Sequence, residues 1–137
     1  MKPIDFDKLT EAARHVALNS YCPYSRYRVG AALLADNGMI YTGCNVENAS
    51  YGLTVCAERA AMMNAVADGV RGFRALVVTA GAQARPGMPC GSCRQVLSEF
   101  CTPDMPVLCA TLDGSGSVQT TLGELLPHGF SKLDVEG

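Results

Sequence analysis

Apolar residues recur at Phe6, Leu9, Ala13, Val16 and Ala17, with Asp5 placed to cap them, and this stripe predicts a helix over 5–19. The period breaks at Ser20-Tyr21-Cys22-Pro23-Tyr24-Ser25-Arg26, which reads as a loop. A strand over 27–35, a turn at Asp36-Asn37-Gly38 and a strand over 39–46 make a hairpin. A second helix spans 55–68, with Thr54 as N-cap and Gly69 as stop. The run from Phe73 to Ala80 has the continuous apolar character of a buried strand. After a loop with Gly and Pro, a third helix covers 90–100, with Pro89 in its first turn. Strands over 106–112 and 117–120 flank a turn at Asp113-Gly114-Ser115-Gly116, and a short helix over 121–126 follows. The order α-β-β-α-β-α-β-β-α predicts an α/β fold, a three-layer α/β/α sandwich around a mixed five-stranded sheet.

Composition narrows the class. The 137 residues, 48% hydrophobic, suit one compact domain over 1–137, without repeats or linkers. No apolar run reaches the ~20 residues a membrane helix needs. Met1-Lys2-Pro3-Ile4-Asp5 lacks the apolar core of a signal peptide, so a cytoplasmic protein is expected. Net charge is −2 and no basic stripe appears, which disfavours a nucleic-acid partner and suits a small uncharged substrate. Seven cysteines, an odd number without a secretory signal, point to metal or core roles rather than a disulfide framework.

Cys90 and Cys93 stand three apart on one helical face, and Cys56 stands near the start of the preceding helix. Both helix N-termini would favour thiolates, and three soft ligands suit zinc, leaving a fourth position for water. A structural zinc would instead take a fourth cysteine from Cys22, Cys44, Cys101 or Cys109. Glu58, two residues after Cys56, favours hydrolysis, because a zinc-activated water needs a base. Zinc base deaminases carry this pattern, with the Glu as acid/base and not as ligand.

With these motifs the chain resembles the small homotetrameric cytidine deaminases over nearly its whole length. The resemblance is carried by Pro23-Tyr24-Ser25-Arg26-Tyr27, Val29-Gly30-Ala31-Ala32-Leu33 and Gly43-Cys44-Asn45-Val46-Glu47-Asn48. It continues through Cys56-Ala57-Glu58-Arg59, Pro89-Cys90-Gly91-Ser92-Cys93-Arg94-Gln95, and Leu125-Leu126-Pro127 with Phe130. It implies a cytidine deaminase-like fold, one zinc ion per chain on Cys56, Cys90 and Cys93, and a homotetramer with sites shared between subunits. The implied reaction is hydrolytic deamination of cytidine and deoxycytidine, in pyrimidine salvage. Water activated at zinc attacks C4, and Glu58 shuttles protons to N3 and the leaving amine.

The resemblance also distributes the remaining roles. Asn45 and Glu47 alone would read as a turn Asn and a solvated Glu, but their motif implies contact with the ribose 3′-OH. The Ala57 N–H is implied to bind the base carbonyl, and Phe130 to stack on the pyrimidine of a neighbouring subunit. Tyr27 stands where the family usually has Phe, so an aromatic contact with base or sugar is expected. Three thiolates weaken zinc as a Lewis acid, and a cation near sulfur offsets this: Arg59 is the implied partner, and Gln95 a similar one. Arg94 is left without a role, and Tyr51 is a candidate for a shared site or interface. Two alternatives stand beside this reading: a deaminase of the blasticidin-S type, and a non-catalytic module built on structural zinc.

Overall fold

The computed structural model describes residues 2–136; Met1 and Gly137, the ends of the expected domain, lie outside the described residues. Its elements are α1 (Phe6–Ala17), β1 (Gly30–Ala35), β2 (Ile40–Cys44), α2 (Ala57–Ala67), β3 (Phe73–Thr79), β4 (Gly81–Ala82) and β5 (Arg85–Pro86). They continue with α3 (Gly91–Phe100), β6 (Pro106–Ala110), β7 (Ser117–Thr121), α4 (Leu122–Leu125) and α5 (Lys132–Glu136). The five longer strands form one sheet in the order β2-β1-β3-β6-β7, while β4 and β5 pair separately. β3 and β6 are parallel and the other neighbours antiparallel, so the sheet is mixed.

Alternation along the strands sorts the core into two layers. Ala32, Leu34, Ala75 and Val77 face α1 and bury its Leu9 and Ala13. Ala31, Leu33, Leu76 and Val78 face the other way, onto Ala61, Met62 and Ala65 of α2 and Leu97 of α3. β1 is buried along its whole length, which explains its unbroken apolar sequence. The expected three-layer sandwich is therefore the observed one.

Strand direction then locates the site. β1 is antiparallel to both β2 and β3, so β2 and β3 run the same way. The helices that follow them, α2 and α3, pack on the same face of the sheet. Both must begin at the sheet edge where these strands end, the edge at which open α/β sheets bind ligands. Gly43 lets β2 approach α2 backbone to backbone: a Cβ there would lie 2.4 Å from the Ala61 nitrogen and 2.6 Å from the Ala57 oxygen.

Several boundaries differ from expectation, each for a local reason. Asp5 caps α1 as expected, its carboxylate accepting from the Lys8 N–H at 3.1 Å. The first strand begins at Gly30 and not at residue 27, because Arg26 turns the chain at φ 57° and the Asn45 side chain takes up the Val29 N–H and the Tyr27 carbonyl. The N-cap of α2 is Cys56, not Thr54, and that of α3 is Cys90, which leaves Pro89 just before the helix. β6 stops at Ala110 because the Thr111 hydroxyl and N–H both bond within the following turn, to Gly116 and Ser115. The β4–β5 hairpin was not legible: its turn residues Gln83 and Ala84 adopt positive φ (56° and 61°) without glycine. α5 had no expectation at all.

The Gly43 contact gives a stability test. Gly43→Ala is expected to cost about 3 kcal/mol, from overpacking against helix backbone. Gly52→Ala, where a Cβ meets nothing within 4 Å, should change stability by about 0.5 kcal/mol or less. Urea denaturation of the metal-loaded proteins compares the two, and equal costs would exclude the close-contact account.

Candidate active site

The starts of α2 and α3 bring the three thiols together. The Cys56 and Cys90 sulfurs lie 3.8 Å apart, and those of Cys90 and Cys93 3.4 Å apart. All three lie within 4.8 Å of one another, the one such group of potential metal ligands among the described residues. Zinc–sulfur bonds of about 2.3 Å at tetrahedral angles need sulfurs about 3.8 Å apart, so the donor set fits zinc with little movement. Cys22, Cys44, Cys101 and Cys109 stay outside the group. Burial pushes the Cys101 thiol up to about 12 and the Cys109 thiol up to about 11, as expected of small apolar core residues.

Neither Cys56 nor Cys90 makes a side-chain cap, so the first N–H groups of both helices stay available to a ligand. Hydrogen bonding from the Cys93 thiol lowers Cys56 to about 5, against the cost of burial and with help from Arg59. Cys93 is raised in turn by its hydrogen bond to Cys56 and by its burial. Arg59 lies over this charge: its Nη2 donates to the Thr54 carbonyl at 3.0 Å and to the Cys56 sulfur at 3.8 Å. Its Nε is buried without a partner, so the guanidinium is held at the thiols despite an unmet hydrogen bond.

Glu58 is 4% exposed and lies two residues after Cys56, in the first turn of α2. Burial pushes its carboxyl up to about 7, opposed in part by its own backbone N–H and by Arg59, and reinforced by charge on Cys56. A carboxyl poised near neutrality can both accept and give protons, as a general acid/base must. It opens on a cleft of about 440 Å³ lined also by Cys56, Cys90, Ala57, Tyr27, Val29, Val78, Met88, Asn45 and Glu47. That volume lies within the roughly 300–1,000 Å³ of small-molecule sites.

Away from the thiols, Asn45 and Glu47 line the same cleft. Asn45 is buried: its Oδ1 accepts from the Val29 N–H at 2.9 Å, and its Nδ2 donates to the Tyr27 carbonyl at 2.8 Å. Glu47 Oε1 accepts from the backbone N–H groups of Tyr24 (2.9 Å) and Ser25 (3.1 Å), and Oε2 accepts from the Ser25 hydroxyl. These bonds, the Ser25 hydroxyl first, hold the Glu47 carboxyl below its ordinary value. Tyr27 is part-exposed on the wall, its hydroxyl end against Gly87 and so turned toward the opposite loop.

Gln95 and Phe130 lie outside this cleft. Gln95 does not reach the sulfurs; its Nε2 donates to the Phe130 carbonyl at 2.7 Å. Two residues along a helix turn the side chain about 200°, so adjacency to Cys93 in sequence is opposition in space. Phe130, 62% exposed, lines a separate groove with Phe100, Leu126 and Leu133 rather than this cleft. Tyr51 is exposed and meets the Tyr24 ring edge-on at 5.8 Å. Two further residues escaped sequence reasoning. Arg94 ties the site to the C-terminal segment through the Pro89 and Leu125 carbonyls, each at 2.7 Å. Ser25 lay within a quoted motif, but nothing in the sequence showed that it meets Glu47.

The chain is similar to known proteins over most of its length. The family model for the cytidine and deoxycytidylate deaminase zinc-binding region matches residues 5–109. A cytidine deaminase of Sporosarcina psychrophila is 49% identical over 132 residues, covering 96% of each chain. One from Halalkalibacterium halodurans is 44% identical over 132 residues, covering 96% of this chain and 98% of the relative. Among solved structures, cytidine deaminase from Burkholderia pseudomallei superposes with a TM-score of 0.87 at 42% identity, over 93% of this chain and 100% of that one. Cytidine deaminase from Mycobacterium tuberculosis gives 0.78 at 41% identity, over 93% and 98%. With three thiols set for zinc beside a buried glutamate, and with this likeness over nearly its full length, the chain belongs to the cytidine deaminase family.

Proposed function

We propose that this chain, as one domain over 1–137, catalyses the zinc-dependent hydrolytic deamination of cytidine and deoxycytidine to uridine and deoxyuridine, with release of ammonia. The observation that carries this reading is Glu58: a buried carboxyl raised toward neutrality, beside three thiols, on the wall of a nucleoside-sized cleft. Relatives named for cytidine favour it over the blasticidin-S type. A structural-zinc module is disfavoured because no fourth thiol joins the cluster among the described residues.

Cys56, Cys90 and Cys93 would hold zinc, which lowers the pKa of a bound water toward about 7 and so supplies the nucleophile. Arg59 offsets the charge of the thiolates through its contact with Cys56. Glu58 takes the proton from the attacking water and hands it to ring N3 as C4 becomes tetrahedral. It then takes the proton of the new C4 hydroxyl and delivers it to the exocyclic amine, so that the C4–N bond breaks, ammonia leaves and C4=O forms. The Ala57 N–H, at the uncapped start of α2, donates to the base carbonyl.

The sugar end follows from unused hydrogen-bond capacity. Glu47 retains an acceptor site, and Asn45 an N–H and a lone pair, after the bonds given above. A ribose 3′-hydroxyl would donate to Glu47 and accept from Asn45, with Tyr27 packing beside it. We further propose a cytoplasmic homotetramer serving pyrimidine salvage. The exposed Phe130, together with exposed Tyr24 and Tyr51 near the cleft, supports burial against neighbouring subunits.

Glu58→Gln is expected to keep about one zinc per chain and lose roughly 10²–10⁴-fold in kcat, read by ultraviolet assay and metal analysis. An active variant would sink the mechanism. Cys90→Ala should lose both zinc and activity; retention of full zinc would displace Cys90 from the ligand set. Phe130→Ala should raise KM about 3- to 30-fold with zinc retained, the scale of one lost aromatic contact. An unchanged KM would leave Phe130 a packing residue only.

A further inference from the structure

Ser25 occupies a junction in the wall of the cleft. Its Oγ accepts the Tyr27 N–H at 3.0 Å and donates to Glu47 Oε2. The polarity of this junction is forced: a backbone N–H only donates and an ionised carboxylate only accepts, so the hydroxyl proton must point at Glu47. Ser25 also reaches Glu47 a second time, through its own N–H to Oε1 at 3.1 Å. Three bonds from Tyr24 and Ser25 therefore occupy Glu47 and fix the direction of its remaining lone pair.

The same junction sets the backbone beside the sugar end. Arg26, between Ser25 and Tyr27, adopts φ 57°, a left-handed turn that an arginine does not favour by itself. The Ser25 hydroxyl spans this turn by binding Tyr27, whose carbonyl in turn holds Asn45. One hydroxyl thus braces both side chains on which the sugar reading rests.

We infer that Ser25 is a positioning residue for nucleoside binding, aiming the free lone pair of Glu47, and the amide of Asn45 through Tyr27, at the sugar 3′-hydroxyl. This rests on the sugar reading proposed above. Ser25 touches no reacting atom, so its effect belongs to binding and not to the chemical step.

The test compares deoxycytidine with 2′,3′-dideoxycytidine, which differ only in the 3′-hydroxyl, across wild type, Glu47→Gln, Ser25→Ala and Ser25→Thr. Ser25→Ala should raise KM for deoxycytidine roughly tenfold, the scale of a hydrogen bond to a charged group, with kcat held within about twofold. Its KM for dideoxycytidine should stay near the wild-type value, and Ser25→Thr, which restores a hydroxyl, should recover deoxycytidine binding. Glu47→Gln must show the same discrimination between substrates; if it does not, the sugar reading fails and the role of Ser25 falls with it. If Glu47→Gln discriminates but Ser25→Ala leaves both substrates unchanged, or impairs both equally, the sugar reading stands and the positioning role is overturned. Zinc content near one per chain in each variant separates these outcomes from misfolding.

Discussion

Two helix N-termini share one edge of the sheet because β2 and β3 point the same way, and the chemistry of the site depends on that shared direction. Cys56 and Cys90 stand as N-caps of those helices, so their sulfurs meet although the sequence separates them widely. Cys93 joins by helical spacing alone. Glu58 is carried inward by the first turn of α2, and its burial raises its affinity for a proton. A reversed β2, or a side chain at Gly43, would move α2 and with it two of the four groups that define the centre.

The parts that physics makes local were legible from sequence. The apolar stripe and Asp5 cap gave α1, apolar runs between turn residues gave the strands, and the Cys56, Cys90, Cys93 and Glu58 set could be read by spacing and ligand chemistry. What escaped depends on angle or long-range contact. Gln95 neighbours a ligand in sequence yet points to Phe130, because helical rotation separates them. Thr54 is a better capping residue than Cys56 by propensity, but its carbonyl instead receives Arg59. The Gln83–Ala84 turn lacks the expected glycine and is held by remote partners: Asp113 accepts from the Gln83 N–H and Ser115 from the Ala84 N–H. No local pattern contains those bonds.

The C-terminal segment is joined to the metal-binding helix. Arg94 holds the Leu125 carbonyl and Gln95 the Phe130 carbonyl, both from the exposed side of α3 or its flank. If Phe130 serves a neighbouring subunit, its position is set by the helix that carries Cys90 and Cys93.

Cysteine in place of serine or aspartate at both N-caps has a consequence for assembly of the centre itself. An ordinary capping side chain stabilises a helix start by about 1 kcal/mol, and α2 and α3 both forgo it. Their opening turns therefore lack that side-chain bond while the thiols are free. A metal held by Cys56, Cys90 and Cys93 would join both turns and serve as a common cap. Binding of the ion would then stabilise the starts of α2 and α3 together, so that metal affinity and local stability of the centre would be one quantity.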